Sequence, residues 1–401
     1  MGWALAFVLL AGARAAEVQE DCFVNEEQFR YCCCGGKGEP CWRSAEIVVM
    51  KARCCDHLLD ACEEAPAKAA PAARKVPAAP APRPLAADMG PGAASRGSDA
   101  PAKSTATVPS LQLIGGGFMP MSGLGLCCRP TATGDAVRIA VKEFLLQGGR
   151  HLDDAQIYSN HAEVGQGIRE AVAAGVPRNE VFVTTKIWPS DFGFEAATAW
   201  VDTALGELGL EYIDLALLHA AGVPDDLRCR RARACRQETW LALQRAKDEG
   251  KIRNLGVSNF GPRQMEELLD LGGAPITANQ IEFHPWVPSL HRRTAEWCHR
   301  RGIAVTAYGS LGSSGLAEQM MVQEALKEMA ARHGKTVGQV LLRWAIQKNV
   351  SVIPGTSNPA HMAENLRIFD FDLSGEEMAS LDGIPEDQRM LHFGHNPDEQ
   401  P

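Results

Sequence analysis

The amino-acid sequence predicts an α/β fold of the (β/α)8 barrel class, and three observations support this. Eight short apolar runs suited to β-strands alternate with helical stretches between about residues 109 and 385. Glycines follow the helical stretches, at positions where helices commonly end. Eight strand–helix units in about 270 residues match the usual size of such a barrel. A doubly wound sheet is the alternative, but no G-x-G-x-x-G sequence opens a helix after the first strand.

The elements are predicted in chain order from the positions of these runs. After a turn-rich start, the strands are predicted near residues 124–126, 150–153, 181–185, 213–218, 254–258, 277–281, 303–307 and 350–353. The helices predicted between them include 134–147, 161–174, 195–208 and 237–249. Catalytic groups of such a barrel lie where the strands end, so the residues at those ends are the candidate site.

Residues 1–16 predict a cleaved signal peptide. The apolar run from Trp3 to Leu10 is too short to span a bilayer. Ala13 and Ala15 then present small side chains at the spacing that a signal peptidase requires. A buried N-terminal strand or helix is the alternative reading. The signal peptide predicts entry into the secretory pathway or secretion, with further sorting left open.

Residues 17–62 predict a small disulfide-rich module, because eight of the thirteen cysteines lie there. These are Cys22, Cys32, Cys33, Cys34, Cys41, Cys54, Cys55 and Cys62. A metal site is the alternative, but the paired C-x-x-C spacing of such sites is absent. Residues 63–108 are rich in Ala and Pro and predict an extended linker, and residues 386–401 form a C-terminal tail.

Composition limits the partners that are expected. The chain has 401 residues and a net charge of −9, which argues against bulk binding of nucleic acid. No run is long enough to predict a membrane span. The barrel region shows no apolar stripe that demands oligomerisation, so a monomeric barrel is expected. The module at residues 22–62 is the candidate for a glycan or protein partner.

Four polar residues close or follow predicted strands: Asp153, Tyr158, Lys186 and His219. A carboxylate, a phenol, an amine and an imidazole in one pocket can move a proton to or from a carbonyl oxygen. The cation of a lysine lowers the pKa of a neighbouring phenol, because it favours the phenolate. An imidazole can donate a hydrogen bond to the same carbonyl oxygen.

Several motifs in the right order make residues 111–382 resemble the aldo-keto reductases. The motifs are Gly149–Ala155 with Tyr158, Val183–Trp188, Asp214–His219, Gly250–Phe260 and Asn279–Pro285. The resemblance implies NAD(P)H-dependent reduction of an aldehyde or ketone. It implies that Tyr158 donates the proton, that Asp153 and Lys186 support it, and that His219 orients the carbonyl.

The same resemblance implies the cofactor contacts and the wall of the substrate pocket. The residues implied to bind NADPH or NADH are Ser258, Asn259, Gln280, Tyr308, Leu311, Thr356, Glu364 and Asn365. Trp188 and His219 are implied to contact the substrate. No metal is expected.

Two departures from the family pattern bear on specificity. Gly355 and His361 stand where the family has a lysine and an arginine that hold the 2′-phosphate of NADPH. Their loss predicts a relaxed choice of cofactor, with NADH plausible. Cys127 and Ala220 stand where the family has tryptophans, which predicts a wider and less apolar pocket.

Two further interpretations stay open at the level of sequence. The loop at residues 227–236 carries five arginines and is interpreted as a solvated loop or as an anion trap. Its Cys229 and Cys235 are spaced for a local disulfide. The alternatives to an active reductase are a non-catalytic nucleotide-binding sensor and a binding protein whose cysteine-rich module carries the function.

Overall fold

The computed structural model describes residues 108–129, 131–222, 231–312, 321 and 323–387. The predicted signal peptide, the cysteine-rich module and the linker up to residue 107 lie outside the described residues. The tail from residue 388 also lies outside them. Those predictions, and the secretory location that depends on them, stay predictions.

Strands and helices alternate along the described chain, as the sequence predicts. The strands are β1 (Ser110–Gln112), β2 (Phe118–Pro120), β3 (Leu124–Gly125), β4 (His151–Asp153), β5 (Phe182–Ile187), β6 (Ile213–Leu218), β7 (Ile252–Ser258), β8 (Ala278–Glu282), β9 (Ala304–Tyr308) and β10 (Val350–Val352). The helices are α1 (Gly134–Leu146), α2 (His161–Ala173), α3 (Phe194–Leu208), α4 (Ala232–Asp248), α5 (Pro262–Leu269), α6 (Ser289–Arg300), α7 (Glu324–His333), α8 (Val337–Gln347), α9 (Pro359–Leu366) and α10 (Gly375–Asp382). The eight strands predicted for the barrel are β3 to β10.

Strands β3 to β10 form one parallel sheet in chain order. The first and last strands meet through a parallel bridge between Ser122 and Val352. The Val352 amide donates to the Met121 carbonyl, and the Gly123 amide donates to the Val352 carbonyl, both at 2.8 Å. The sheet therefore closes on itself, as a (β/α)8 barrel requires.

A β-hairpin precedes the barrel where the sequence predicted only turns. Strands β1 and β2 pair antiparallel, with Leu111 opposite Met119. Three-residue strands are too short to show an alternating pattern, which explains why the sequence did not predict them. The hairpin contributes buried Leu113 and Met119 to a cluster inside the barrel, with Phe182 and Leu215. It thereby covers the end of the barrel where the strands begin, and leaves the opposite end for chemistry.

A second and larger apolar cluster lies between the sheet and the surrounding helices. It includes Phe144 of α1, Trp240 of α4 and Trp344 of α8, all at most 1% exposed. Helix α4 begins at Ala232, five residues before the predicted start at residue 237. The added turn contains Arg236, which is fully buried and donates to the Ala221 carbonyl at 2.8 Å. Within the described ranges, no helix is long and apolar enough to cross a membrane.

Helices α2 and α3 approach each other at Gly165, and this predicts a strict requirement for glycine. A Cβ atom at Gly165 would lie 2.0 Å from the backbone oxygen of Leu208. We expect Gly165→Ala to destabilise the protein by about 1–3 kcal/mol, because backbone cannot move aside as a side chain can. Urea unfolding followed by tryptophan fluorescence measures the change.

The matched control is Gly206→Ala in α3. A Cβ atom there meets nothing within 4 Å. Alanine at this exposed helical position should stabilise the protein by roughly 0.5–1 kcal/mol. Equal stability of the two variants would show that the α2–α3 contact is looser than described.

Candidate active site

The barrel brings the four predicted residues to the ends of three neighbouring strands. Asp153 is the last residue of β4, Lys186 lies near the end of β5, and His219 directly follows β6. Tyr158 ends a short 3-10 turn at Gln156–Tyr158, which follows β4. In a parallel sheet these strand ends share one edge. Lys186 of β5 pairs with Leu217 of β6, which aligns Lys186 with a position two residues before His219.

Lys186 is the centre of the cluster and its side chain is 0% exposed. Its Nζ lies 2.5 Å from Oδ1 of Asp153, and it donates to the Asp154 carbonyl at 2.9 Å. It also donates to the hydroxyl oxygen of Tyr158 at 3.2 Å. All three contacts of the ammonium thus orient it between the carboxylate and the phenol.

Burial and neighbouring charges act in opposite directions on the pKa values of Lys186 and Tyr158. Burial works to lower the pKa of Lys186, but the Asp153 carboxylate and the Tyr158 hydroxyl outweigh it, and the net pKa is raised. Burial raises the pKa of Tyr158, and the nearby Lys186 cation lowers it only in part. The phenol is therefore protonated at neutral pH. The lowering of the phenol pKa by a lysine cation, expected from sequence, is present, but burial outweighs it and the net pKa of Tyr158 is raised.

Aromatic rings surround the space in front of Tyr158. The His219 ring meets the Tyr158 ring edge-on, with centroids 5.8 Å apart. The Trp188 ring meets His219 in the same way at 5.1 Å. The His219 amide donates to the Ile187 carbonyl at 3.0 Å, which fixes the backbone of the imidazole. Trp188 and His219 therefore both face the predicted substrate space.

Four of the residues predicted to bind the cofactor form one network beside the cluster. Gln280 donates to Oδ2 of Asp153 at 2.6 Å, so Asp153 is held from two sides. The Asn259 amide donates to the His219 carbonyl at 3.0 Å and to Ser258 Oγ at 3.2 Å. The Tyr308 hydroxyl donates to Oδ1 of Asn259 at 2.7 Å. These amide and hydroxyl groups could hydrogen-bond the carboxamide of a nicotinamide ring. To do so, the carboxamide must replace the hydrogen bonds that Asn259 makes within the protein.

Asn259 occupies the left-handed backbone region, with φ of 59°. Asparagine tolerates this conformation better than most residues do, because its short polar side chain bonds nearby backbone. Its amide reaches back to the His219 carbonyl, as above. The turn after β7 therefore aims the Asn259 side chain at the end of β6.

The other predicted cofactor residues lie in the loops after β9 and β10 and in helix α9. Leu311 is half-buried against the core. Thr356 is buried, and its Oγ1 accepts from the Asn358 amide at 3.1 Å. The Asn365 carbonyl accepts from Ser122 Oγ at 3.1 Å, while Glu364 is half-buried. Asn365, through Ser122, and Thr356, which follows Gly355, thus lie at the seam where the barrel closes.

Comparisons with known proteins agree with this geometry. The sequence pattern of the aldo/keto reductase family matches residues 114–386. A 9,11-endoperoxide prostaglandin H2 reductase of Trypanosoma cruzi (strain CL Brener) is 40% identical over 282 residues, covering 70% of this chain and 92% of that protein. A glyoxal reductase of Bacillus subtilis (strain 168) is 37% identical over 295 residues, covering 74% of this chain and 98% of that protein.

This chain belongs to the aldo/keto reductase family. A solved Bombyx mori aldo-keto reductase in complex with NADP is 32% identical, with a TM-score of 0.65, over 74% of this chain and 98% of that one. The predictions of a (β/α)8 reductase and of NAD(P)H-dependent carbonyl reduction are confirmed. A non-catalytic barrel is not favoured.

Asp154 is a charged residue of this aldo/keto reductase that sequence reasoning missed. Its side chain is 0% exposed, and its Oδ1 accepts from the Ala155 amide at 2.8 Å. Its Oδ2 has no hydrogen-bond partner among the described residues, and Nε2 of His161 lies 3.7 Å from it. Burial raises the pKa of Asp154 to about 6. No sequence signal marks it, since aspartates are rarely buried without a partner.

Gln156 is a second missed residue, and it positions the turn that carries Tyr158. Its Oε1 accepts from the Trp188 amide at 2.9 Å, and its Nε2 donates to Asp191 at 2.6 Å. One side chain thereby ties the Tyr158 turn to the loop after β5. The substrate wall and the phenol are held by the same residue.

Four cysteines lie among the described residues of the reductase barrel. Cys127 and Cys128, which are adjacent in the chain, are paired with each other. Cys235 is disulfide-bonded, and Cys229 lies outside the described residues, so the predicted pairing of the two stays a prediction. Cys298 is free and buried. In the part of the chain that the structure describes, no cluster of His, Cys, Asp and Glu could hold a metal ion.

The raised pKa of Asp154 predicts a pH-dependent stability difference. The folded pKa of about 6 lies above the ordinary value of 3.8, so folding penalises the ionised form. The penalty is absent below the unfolded pKa and complete once the pH has risen through the folded one. Between pH 3.8 and pH 7.5, native stability should therefore fall relative to Asp154→Asn by roughly 3 kcal/mol.

Urea unfolding of both proteins at several pH values measures this difference. Following how the difference in unfolding free energy between the two proteins changes with pH removes any pH-independent cost of the asparagine side chain. Asp270→Asn, which changes an exposed carboxylate, is the control and should show no such trend. A stability gap between native and Asp154→Asn that is independent of pH would contradict the ionisation argument.

Proposed function

We propose that this chain reduces an aldehyde or ketone to the alcohol, with Tyr158 as the proton donor. In the overall reaction the carbonyl compound, NAD(P)H and one proton give the alcohol and NAD(P)+. The observation that carries the proposal is the buried Lys186 ammonium, which contacts both Asp153 and the Tyr158 hydroxyl. When bound, the nicotinamide cofactor supplies the hydride, and the protein supplies position and charge.

The Tyr158 hydroxyl is the group placed to give up a proton. The pKa of Tyr158 is raised above its ordinary value, so the hydroxyl is protonated at neutral pH and has a proton to give. As the carbonyl oxygen gains negative charge, the proton moves to it from Tyr158. The Lys186 cation at 3.2 Å then favours the phenolate that is left. Asp153 keeps that cation charged and in place.

His219 is proposed to position the carbonyl oxygen. Its ring stands edge-on to both Tyr158 and Trp188, at the mouth of the cluster. A hydrogen bond from the imidazole would stabilise charge on the oxygen before the proton arrives. The backbone contacts of His219, to the Ile187 carbonyl and from the Asn259 side-chain amide, fix the main chain that carries the ring.

The substrate pocket is proposed to accept bulky or polar carbonyl compounds. Cys127 and Ala220 are both half-buried and stand where family members carry tryptophans. Trp188 remains as the large aromatic residue of that wall beside His219. A smaller and less apolar wall removes the stacking that selects aromatic substrates.

The phenol role predicts a specific mutant phenotype. We expect Tyr158→Phe to lower kcat for carbonyl reduction by about a hundredfold or more, because the general acid is lost. Nucleotide binding, measured by calorimetric titration, should be retained. The assay follows NADPH and NADH oxidation by the full-length chain with aromatic, sugar-like and keto-acid substrates.

The control is Tyr212→Phe, a tyrosine that packs under Arg253 and lies outside the cluster. It should keep native turnover. Full activity in Tyr158→Phe would contradict the proposed acid. Much tighter binding of aromatic aldehydes than of polar carbonyls would contradict the wider pocket.

A further inference from the structure

The guanidinium of Arg129 occupies the space beside Gly355. A Cβ atom at Gly355 would lie 1.8 Å from Nη1 of Arg129 and 2.9 Å from its Cζ. Arg129 follows the first barrel strand, β3, and Gly355 follows the last, β10. The closed seam of the barrel brings these distant segments together. The Arg129 cation therefore fills the space that a side chain at residue 355 would otherwise occupy.

Arg129 is half-buried, and its described contacts leave its charge uncompensated. Its Nη1 donates to the Gly125 carbonyl at 3.1 Å and to the Cys127 carbonyl at 3.2 Å. Its Nε is buried without a hydrogen-bond partner among the described residues. No described carboxylate forms an ion pair with it. A guanidinium kept this way costs stability, which an anionic ligand would offset.

The backbone at Gly355 does not itself require glycine. It lies outside the left-handed region in which side chains are strained. A side chain there would meet the end of Arg129 and, at 3.1 Å, the Gly125 carbonyl. A lysine at residue 355 and the present position of Arg129 thus exclude each other. The absence of a lysine at residue 355 is what leaves room for the Arg129 guanidinium.

We propose that Arg129 determines cofactor specificity by binding the 2′-phosphate of NADPH, in place of the cation absent from residue 355. The inference rests on the nicotinamide cofactor of the proposed function. Thr356 and Asn358 border the same turn with a hydroxyl and an amide. A planar guanidinium donates two parallel hydrogen bonds to a phosphate, which an ammonium cannot do. The consequence is a preference for NADPH, where the sequence alone predicted a relaxed choice.

Calorimetric titration of the full-length protein with NADP+ and with NAD+ tests the inference without turnover. We expect Arg129→Met, which keeps an unbranched apolar stem and removes the charge, to raise the Kd for NADP+ by roughly ten- to a hundredfold. The Kd for NAD+ should change by less than about threefold, since it lacks the 2′-phosphate. Arg129→Lys should recover part of the NADP+ affinity. Arg245→Ala, which removes a charge from an exposed i,i+4 pair, is the control and should change neither Kd.

A relocated cation provides the second arm. Arg129→Met combined with Gly355→Lys moves the positive charge from the first loop to the last. It should recover NADP+ affinity relative to Arg129→Met alone, again with little effect on NAD+. Gly355→Lys by itself should displace the Arg129 guanidinium, because the two side chains compete for one space. The changes in NADP+ affinity caused by Gly355→Lys and by Arg129→Met should therefore not be additive in the double variant.

Two results would overturn the inference. Equal losses of NADP+ and NAD+ in Arg129→Met would mean that Arg129 contacts the diphosphate or only supports the loop. Unchanged affinity for both nucleotides would mean that it contacts neither. Failure of the proposed function looks different, because the native chain would then bind neither nucleotide or would bind without turning over.

Discussion

The ion pair between Lys186 and Asp153 is the interaction on which the rest of the site depends. Both side chains are at most 3% exposed, and neither charge would be stable there alone. The pair is supported on every side, by the Asp154 carbonyl, the Gln280 amide and the Tyr158 hydroxyl. Burial raises the pKa of Tyr158, and the Lys186 cation of this pair works in the opposite direction by favouring the phenolate.

The barrel topology explains how these groups meet. Parallel strands in chain order bring successive strand ends to one edge, and the N-terminal hairpin fills the opposite end with apolar side chains. Closure of the sheet between Ser122 and Val352 then joins the loops after the first and last strands. The seam created by this closure is where Arg129 meets Gly355. One architectural constraint therefore forms both the proton-transfer cluster and the proposed phosphate contact.

Much of this could be predicted from sequence, because strand ends in a barrel share one edge whatever the loops do. Asp153, Lys186 and His219 follow from that rule. The environment of each group could not be predicted in the same way. The upward shift in the pKa of Tyr158 depends on burial, which spacing does not reveal. The meeting of Arg129 with Gly355 depends on ring closure between segments far apart in the chain.

In the proposed mechanism, the buried pair of Lys186 and Asp153 tunes the proton affinity of Tyr158. The most direct measurement is the pH dependence of kcat for carbonyl reduction in the native chain and in Asp153→Asn/Lys186→Met, which removes both charges together. We expect a folded variant whose kcat is lower by about a hundredfold or more and whose alkaline limb lies at higher pH, because the phenol binds its proton more tightly. Native kcat with an unchanged pH profile would contradict it.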